Sequence, residues 1–159
     1  ELGHMLFLGF YLACGALANV AQVLADPASP IPVVGASGAI AGVMGGYLLL
    51  FPKAKVDILV IFVVFFRVFS ISAWIVLGLW FALQLLNGAT STAASSGIAY
   101  WAHIGGFAAG LVLIFPLFIR LGAAAFWRQT LGHPPHPEKI YAGSLARVPL
   151  VPRKSNTSK

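Results

Sequence analysis

Charge is scarce in this chain. Asp, Glu, Lys and Arg make up only 9% of 159 residues, and just four residues are acidic. A soluble domain carries about 25% charge, so a water-exposed globule is excluded. Cysteine is nearly absent as well. The lone Cys14 lies midway along an apolar run, which rules out an internal disulfide and leaves the redox compartment unmarked. No signal-peptide pattern is present, and the chain opens on Glu1, without a methionine, almost directly into an apolar run. It therefore reads as part of a longer protein. What the chain has in abundance is hydrophobic surface: 59% apolar residues and a mean hydropathy of +0.90. Such a composition marks an integral membrane protein. The net charge of +6 is no sign of a nucleic-acid partner, because the basic residues are not interleaved along a polar face. Their placement is a topology signal instead.

The expected fold class is all-α, a polytopic bundle with four spans and one short interfacial segment. Met5 to Leu24 is the first span, 20 residues interrupted only by Asn19 and Gln22. That length crosses a hydrocarbon core of about 30 Å. Asn19 reads as an interhelical hydrogen-bond partner, with a catalytic role as the alternative. Three prolines between Asp26 and Pro32 break the helix. The second span starts near Ser37 and ends at Phe51-Pro52. Asp57 to Phe66 is apolar but only ten residues long, too short to span as a helix, and is expected to be an interfacial or re-entrant piece. The third span runs from about Ile71 to Leu86 and carries Trp74, Trp80 and Gln84. Asn87 to Gly97 is an uncharged loop, and Ile98 to Ile119 is the last span. Residues 1–120 thus form the membrane domain. Residues 121–159, basic and containing prolines, are expected to be a flexible tail. His133 and His136 flank two prolines there, but no further ligands accompany them, and no metal site is expected. No cofactor is implied either.

With four spans, all ten Lys and Arg fall on one side of the membrane, and the loops around Asp26 and Asn87 carry none. The positive-inside rule makes the basic side cytoplasmic, with Glu1 and Lys159 both there. The expected location is a bacterial plasma membrane, in contact with lipid throughout.

The stretch from Pro32 to Gly42 organises the chemistry. Ser37 stands between Ala36 and Gly38, where a short loop becomes an apolar helix without a charge up to Phe51. A serine at such a boundary caps a helix, or serves as a nucleophile held just inside the membrane. Gly38, Gly42 and Gly46 recur every four residues behind it, a face that lets another helix come very close. In the last span Ala102, Gly106 and Gly110 repeat the pattern, and His103 falls on the same face. Both spans run from the outer side inward, so Ser37 and His103 can meet at similar depth. An ionisable residue in a span is a functional candidate by default. The bland alternative for His103 is an interhelical hydrogen bond. No Asp or Glu reaches that depth, so the pair would be a Ser-His dyad.

Gly35-Ala36-Ser37-Gly38 opening one span, followed by Ala102-His103-x-x-Gly106-x-x-x-Gly110 in a later one, resembles the rhomboid intramembrane serine proteases. The likeness extends over about residues 1–120 and corresponds to the last four of six core helices. It implies that Ser37 is the nucleophile and His103 the general base. It also implies an oxyanion hole containing the Ser37 backbone N–H, with Gly35 in support, and transmembrane proteins as substrates. The sequence departs from the family in two ways. The helix that carries an oxyanion-binding His and Asn is not in this chain, so the chain by itself is expected to be inactive. The position one turn after the serine, often an aromatic packed on the histidine, is Ala41. The alternative function is a non-catalytic rhomboid-like protein that binds membrane clients. Such relatives lack the Ser-His pair that this chain keeps. A fragment of a transporter or channel is a third possibility, but the chain shows no inverted repeat and no series of intramembrane carboxylates.

Overall fold

The computed structural model describes residues 2–28, 36–62, 65–90 and 97–135. The order of elements is helix α1 (His4–Ala25), helix α2 (Ser37–Leu50), a hairpin of strands β1 (Lys55–Phe62) and β2 (Phe65–Ser72), helix α3 (Ala73–Thr90), helix α4 (Tyr100–Arg120) and a short helix α5 (Ala124–Thr130). The architecture is a helical membrane bundle. In lipid a helix meets all its backbone hydrogen bonds within one segment, so apolar runs of this length fold that way. Among the described residues three helices, α1, α3 and α4, are long and apolar enough to cross a membrane. The fourth, α2, has only 14 residues, about 21 Å at 1.5 Å per residue.

The helix ends follow local chemistry. After Ala25 the Asp26 N–H still bonds back to Gln22 O, and Pro27 then stops the helix. Pro52 does the same after Phe51, whose N–H reaches Tyr47 O at 2.8 Å. Three boundaries differ from expectation by two residues or more. The third helix starts at Ala73, after the strand residue Ser72, and continues to Thr90, four residues into the expected loop. The last starts at Tyr100 instead of Ile98.

The segment expected to be a short interfacial or re-entrant piece at Asp57–Phe66 is an antiparallel hairpin, and a longer one. Its register runs from Lys55 opposite Ser72 to Phe62 opposite Phe65. Val56, Ile58, Val60, Val68 and Ile71 are β-branched and fit a pleated ladder better than a helix. Ser70 donates a 2.5 Å hydrogen bond to Asp57 across the strands, and the Arg67 guanidinium lies 5.8 Å from the centre of the Phe69 ring. The hairpin base is pinned. Ala73 N–H donates to Ala54 O, and Trp74 N–H to Pro52 O.

The first part of the segment expected to be a flexible tail is packed. Trp127 of α5 donates its indole N–H to Leu49 O at 2.9 Å and lies against Phe118, ring centres 4.8 Å apart. Phe126 meets Phe51, and Lys53 N–H bonds Gly132 O. An indole and a phenyl ring over the ends of α2 and α4 were worth more than the polar composition around them suggested. His133 lies in this packed part, whereas His136 and the rest of the expected tail, 136–159, lie outside the described residues.

The core is the crossing of α2 with α4, flanked by α1. Its lining is small: Gly38, Ala39, Ala41, Gly42, Gly45 and Gly46 of α2 are buried, as are Ala102, Gly106, Ala109 and Gly110 of α4. At three positions the approach is backbone on backbone, one of them Gly45 against Phe107 O. A Cβ added to Gly106 would collide with Gly38 O, and one added to Gly110 would collide with Gly42 O. The matched four-residue spacing in the two helices repeats this contact one turn apart. Gly46 sits at the end of the seam away from Ser37, where an added Cβ would be 3.0 Å from Phe10 and 3.5 Å from Gly110 O. Cys14 of α1 is buried against Gly42. The two helices run in the same direction: Ser37 and His103 meet at their starts, while Trp127, just past the end of α4, reaches Leu49 in the last turn of α2.

Candidate functional site

Ser37 is the first residue of α2. A capping serine would sit one position earlier and turn its hydroxyl onto the backbone. Here Ala36 holds that position and no side chain caps the helix. The Ser37 hydroxyl points elsewhere: Oγ lies 2.9 Å from Nε2 of His103. This follows from the seam. Gly38 packs on Ala102 and Gly106, so the residues immediately before Gly38 and after Ala102 are brought side by side.

His103 stands in the first turn of α4, half-buried, while Ser37 is exposed at the end of the bundle. The other ring nitrogen, Nδ1, is 3.0 Å from Oε1 of Gln84 on α3. Trp80, one turn before Gln84, lies beside the imidazole with ring centres 5.9 Å apart at 40°. Behind it Phe107 stacks on Phe81 at 4.7 Å and also meets Trp80 at 6.1 Å. The aromatic neighbour of the histidine therefore comes from α3, and Ala41, where the serine helix could have supplied one, is buried in the packing seam.

The start of α4 has no side-chain cap of its own. Its Ala102 N–H, which also reaches Ala99 O at 3.1 Å, donates to Oε1 of Gln22 on α1 at 3.1 Å. A helix end buried in lipid needs such a partner. Gln84 of α3 and Gln22 of α1 thus hold the histidine and the residue before it.

Of the residues singled out in the sequence, Ser37 and His103 are brought together, and Gly38, Gly42, Gly46, Ala102, Gly106 and Gly110 line the seam beneath them. Gly35 lies outside the described residues. Asn19, expected between helices, is exposed on α1. It lines a cavity of about 290 Å³ with Tyr11, Gly15, Ser37, Ala39 and Ala102. Sequence reasoning missed the roles of Gln84, Trp80 and Gln22. The available signal was the two amides: an uncharged polar side chain in an apolar span must find a partner. Among the described residues no group of three or more His, Cys, Asp or Glu side chains could hold a metal ion. Asp57 is engaged by Ser70 on the hairpin, on the opposite side of the bundle from Ser37.

The family model of the Rhomboid domain matches residues 1–120. No curated protein and no solved structure matches the chain.

Proposed function

The chain belongs to the rhomboid family of membrane proteins, and on that premise we propose that it is an intramembrane serine endopeptidase with Ser37 as nucleophile and His103 as general base. The observation that carries this reading is the 2.9 Å approach of Ser37 Oγ to His103 Nε2. That distance is within the reach a nucleophile and its base need.

The chemistry runs in two halves. His103 Nε2 takes the hydroxyl proton as Ser37 Oγ attacks the carbonyl carbon of the scissile peptide bond. The bond to the leaving nitrogen then breaks, and His103 returns the proton to that nitrogen. An acyl ester remains on Ser37. A water molecule, deprotonated by His103 in turn, attacks the ester carbon; the bond to Ser37 Oγ breaks, His103 gives the proton to Oγ, and the carboxylic acid product leaves. Negative charge develops on the carbonyl oxygen in both halves. The first N–H groups of α2, those of Ser37 and Gly38, have no partner within the helix and lie at its positive end. They are the donors in this chain for that charge. Water enters from the exposed end of the bundle, and the cavity beside Asn19 and Tyr11 gives a substrate segment a way to Ser37. The substrate is a transmembrane segment of another protein, presented with its backbone unwound at this end.

The same reading places the basic residues, all ten, on the cytoplasmic side and Ser37 at the opposite face. A serine-directed fluorophosphonate tests the assignment. The full-length protein in detergent micelles should be labelled on Ser37, and Ser37→Ala should take up no label. A folded wild-type protein that takes up no label would favour a client-binding protein without hydrolytic activity.

A further inference from the structure

Among the described residues only two buried side chains are polar, Gln22 and Gln84. They act on consecutive residues of α4. Gln22 accepts from the Ala102 backbone N–H, and Gln84 meets the His103 ring. The first contact closes a helix end. The second has a chemical consequence. We propose that Gln84 is a positioning residue that fixes the tautomer of His103, with the proton on Nδ1 and Nε2 bare toward Ser37. Its importance for hydrolysis rests on the protease reading; the tautomer itself does not.

A neutral imidazole carries its proton on one nitrogen or the other, and only the form with Nε2 bare can accept from a hydroxyl. The hydrogen bond at the remote nitrogen makes the selection. In the familiar triad a carboxylate does this. Here no carboxylate of the described residues reaches the ring. The facing groups are Ser37 from α2 and Trp80 with Gln84 from α3, while α1 contributes Gln22 to the neighbouring residue. Gln84 presents Oε1, an acceptor, so Nδ1 must be the donor. An amide achieves this without placing a charge in a span, where a carboxylate would be costly. Gln84 is buried, so an Nδ1–H deprived of it would have no water to turn to.

Trp80 and Gln84 are four apart on α3 and therefore project from one face. The indole limits the tilt of the imidazole, and the amide fixes its rotation. Trp80 alone would leave the two ring nitrogens free to exchange places.

The test reads the tautomer directly. The full-length protein is labelled with ¹⁵N-histidine in detergent micelles at a pH where the ring is neutral, and the His103 signals are identified by their loss in His103→Asn. Wild type should show one tautomer, with Nδ1 protonated and Nε2 bare. Gln84→Met keeps the length and volume but removes the acceptor. It should populate both tautomers and slow fluorophosphonate labelling of Ser37 about ten-fold or more, and lower the melting temperature only by the loss of one buried hydrogen bond. Gln84→Glu, which keeps an acceptor at the same reach, should restore the single Nδ1-protonated form. Wild type with Nε2 protonated, or Gln84→Met with the tautomer unchanged, would overturn the proposal. Should Gln84→Met not fold, the wild-type and Gln84→Glu spectra still decide, because both must show Nδ1 protonated. A wild-type protein with that tautomer but no labelling upholds the positioning role and removes the protease reading alone.

Discussion

Helices α2 and α3 both bring groups to His103 on α4, and they do so in different ways. The α2–α4 contact is backbone against backbone, through Gly38 with Gly106 and Gly42 with Gly110. The α3–α4 contact is made by side chains: Trp80 and Phe81 on Phe107, Trp80 on the imidazole, Gln84 on its Nδ1. On α3 even Gly78 faces open space. A glycine seam has no rotamers and one depth at which it closes, so it sets the register of Ser37 against His103. Side chains can adjust, and so α3 sets how the ring is turned. Placement and orientation are therefore separable, and each can be attacked without the other.

The largest effect should come from the seam. Gly110→Leu forces side-chain atoms onto the Gly42 backbone, Gly42→Leu onto the buried Cys14 side chain and then the Gly106 carbonyl, and overpacking costs about 1–3 kcal/mol or more. Both variants should melt well below wild type in detergent, with labelling of Ser37 lost along with the fold. Full thermal stability in either would mean that the helices do not cross there.

Acid should separate the two regions next. A protonated His103 cannot accept the serine proton, so labelling should fall about ten-fold per pH unit below the ring's titration. The seam around it is glycine and alanine with the buried Cys14, and none of these titrates in acid. Circular dichroism should therefore stay unchanged over the pH range in which labelling disappears, and simultaneous loss of both would contradict the separation.

A smaller effect is expected on the α3 side. An aromatic contact is worth about 0.5–1.5 kcal/mol, so Trp80→Leu should slow labelling up to about ten-fold and leave the melting temperature within a few degrees. The least effect belongs to the far end. Trp127→Phe keeps the ring but loses the hydrogen bond to Leu49 O, about 0.5–1.5 kcal/mol. It should lower the melting temperature slightly, with no change in labelling rate per folded molecule.

The difference between the two contacts also explains what could be read from the chain alone. Glycine recurrence at Gly38–Gly42 and Gly106–Gly110 is a geometric statement, and it leads directly to a close crossing and to the adjacency of Ser37 and His103. The contributions of Trp80 and Gln84 depend on how α3 is rotated, which no spacing within one helix reveals. Gln22 is similar: it acts on a residue eighty positions away. The hairpin was hidden for another reason. Residues 55–62 form an apolar run without clean alternation, because near the bilayer both faces of a strand can be apolar, and such a run does not distinguish strand from helix by period. Its wealth of Val, Ile and Phe was the clue to an extended chain. Helix α5 was too short, at seven residues, to show an apolar face; two aromatic side chains hold it.

The central claim is that the Ser37–His103 contact is a catalytic pair. Its most direct test is cleavage of a transmembrane substrate by the full-length protein reconstituted in liposomes, with Ser37→Ala and His103→Ala measured beside wild type and folding checked for each. Nucleophile and base act as a unit, so losing either removes the covalent route. Both folded variants are predicted to show no cleavage above background. Cleavage by folded Ser37→Ala at the wild-type rate would contradict the account and leave the 2.9 Å contact as a packing hydrogen bond between two helices.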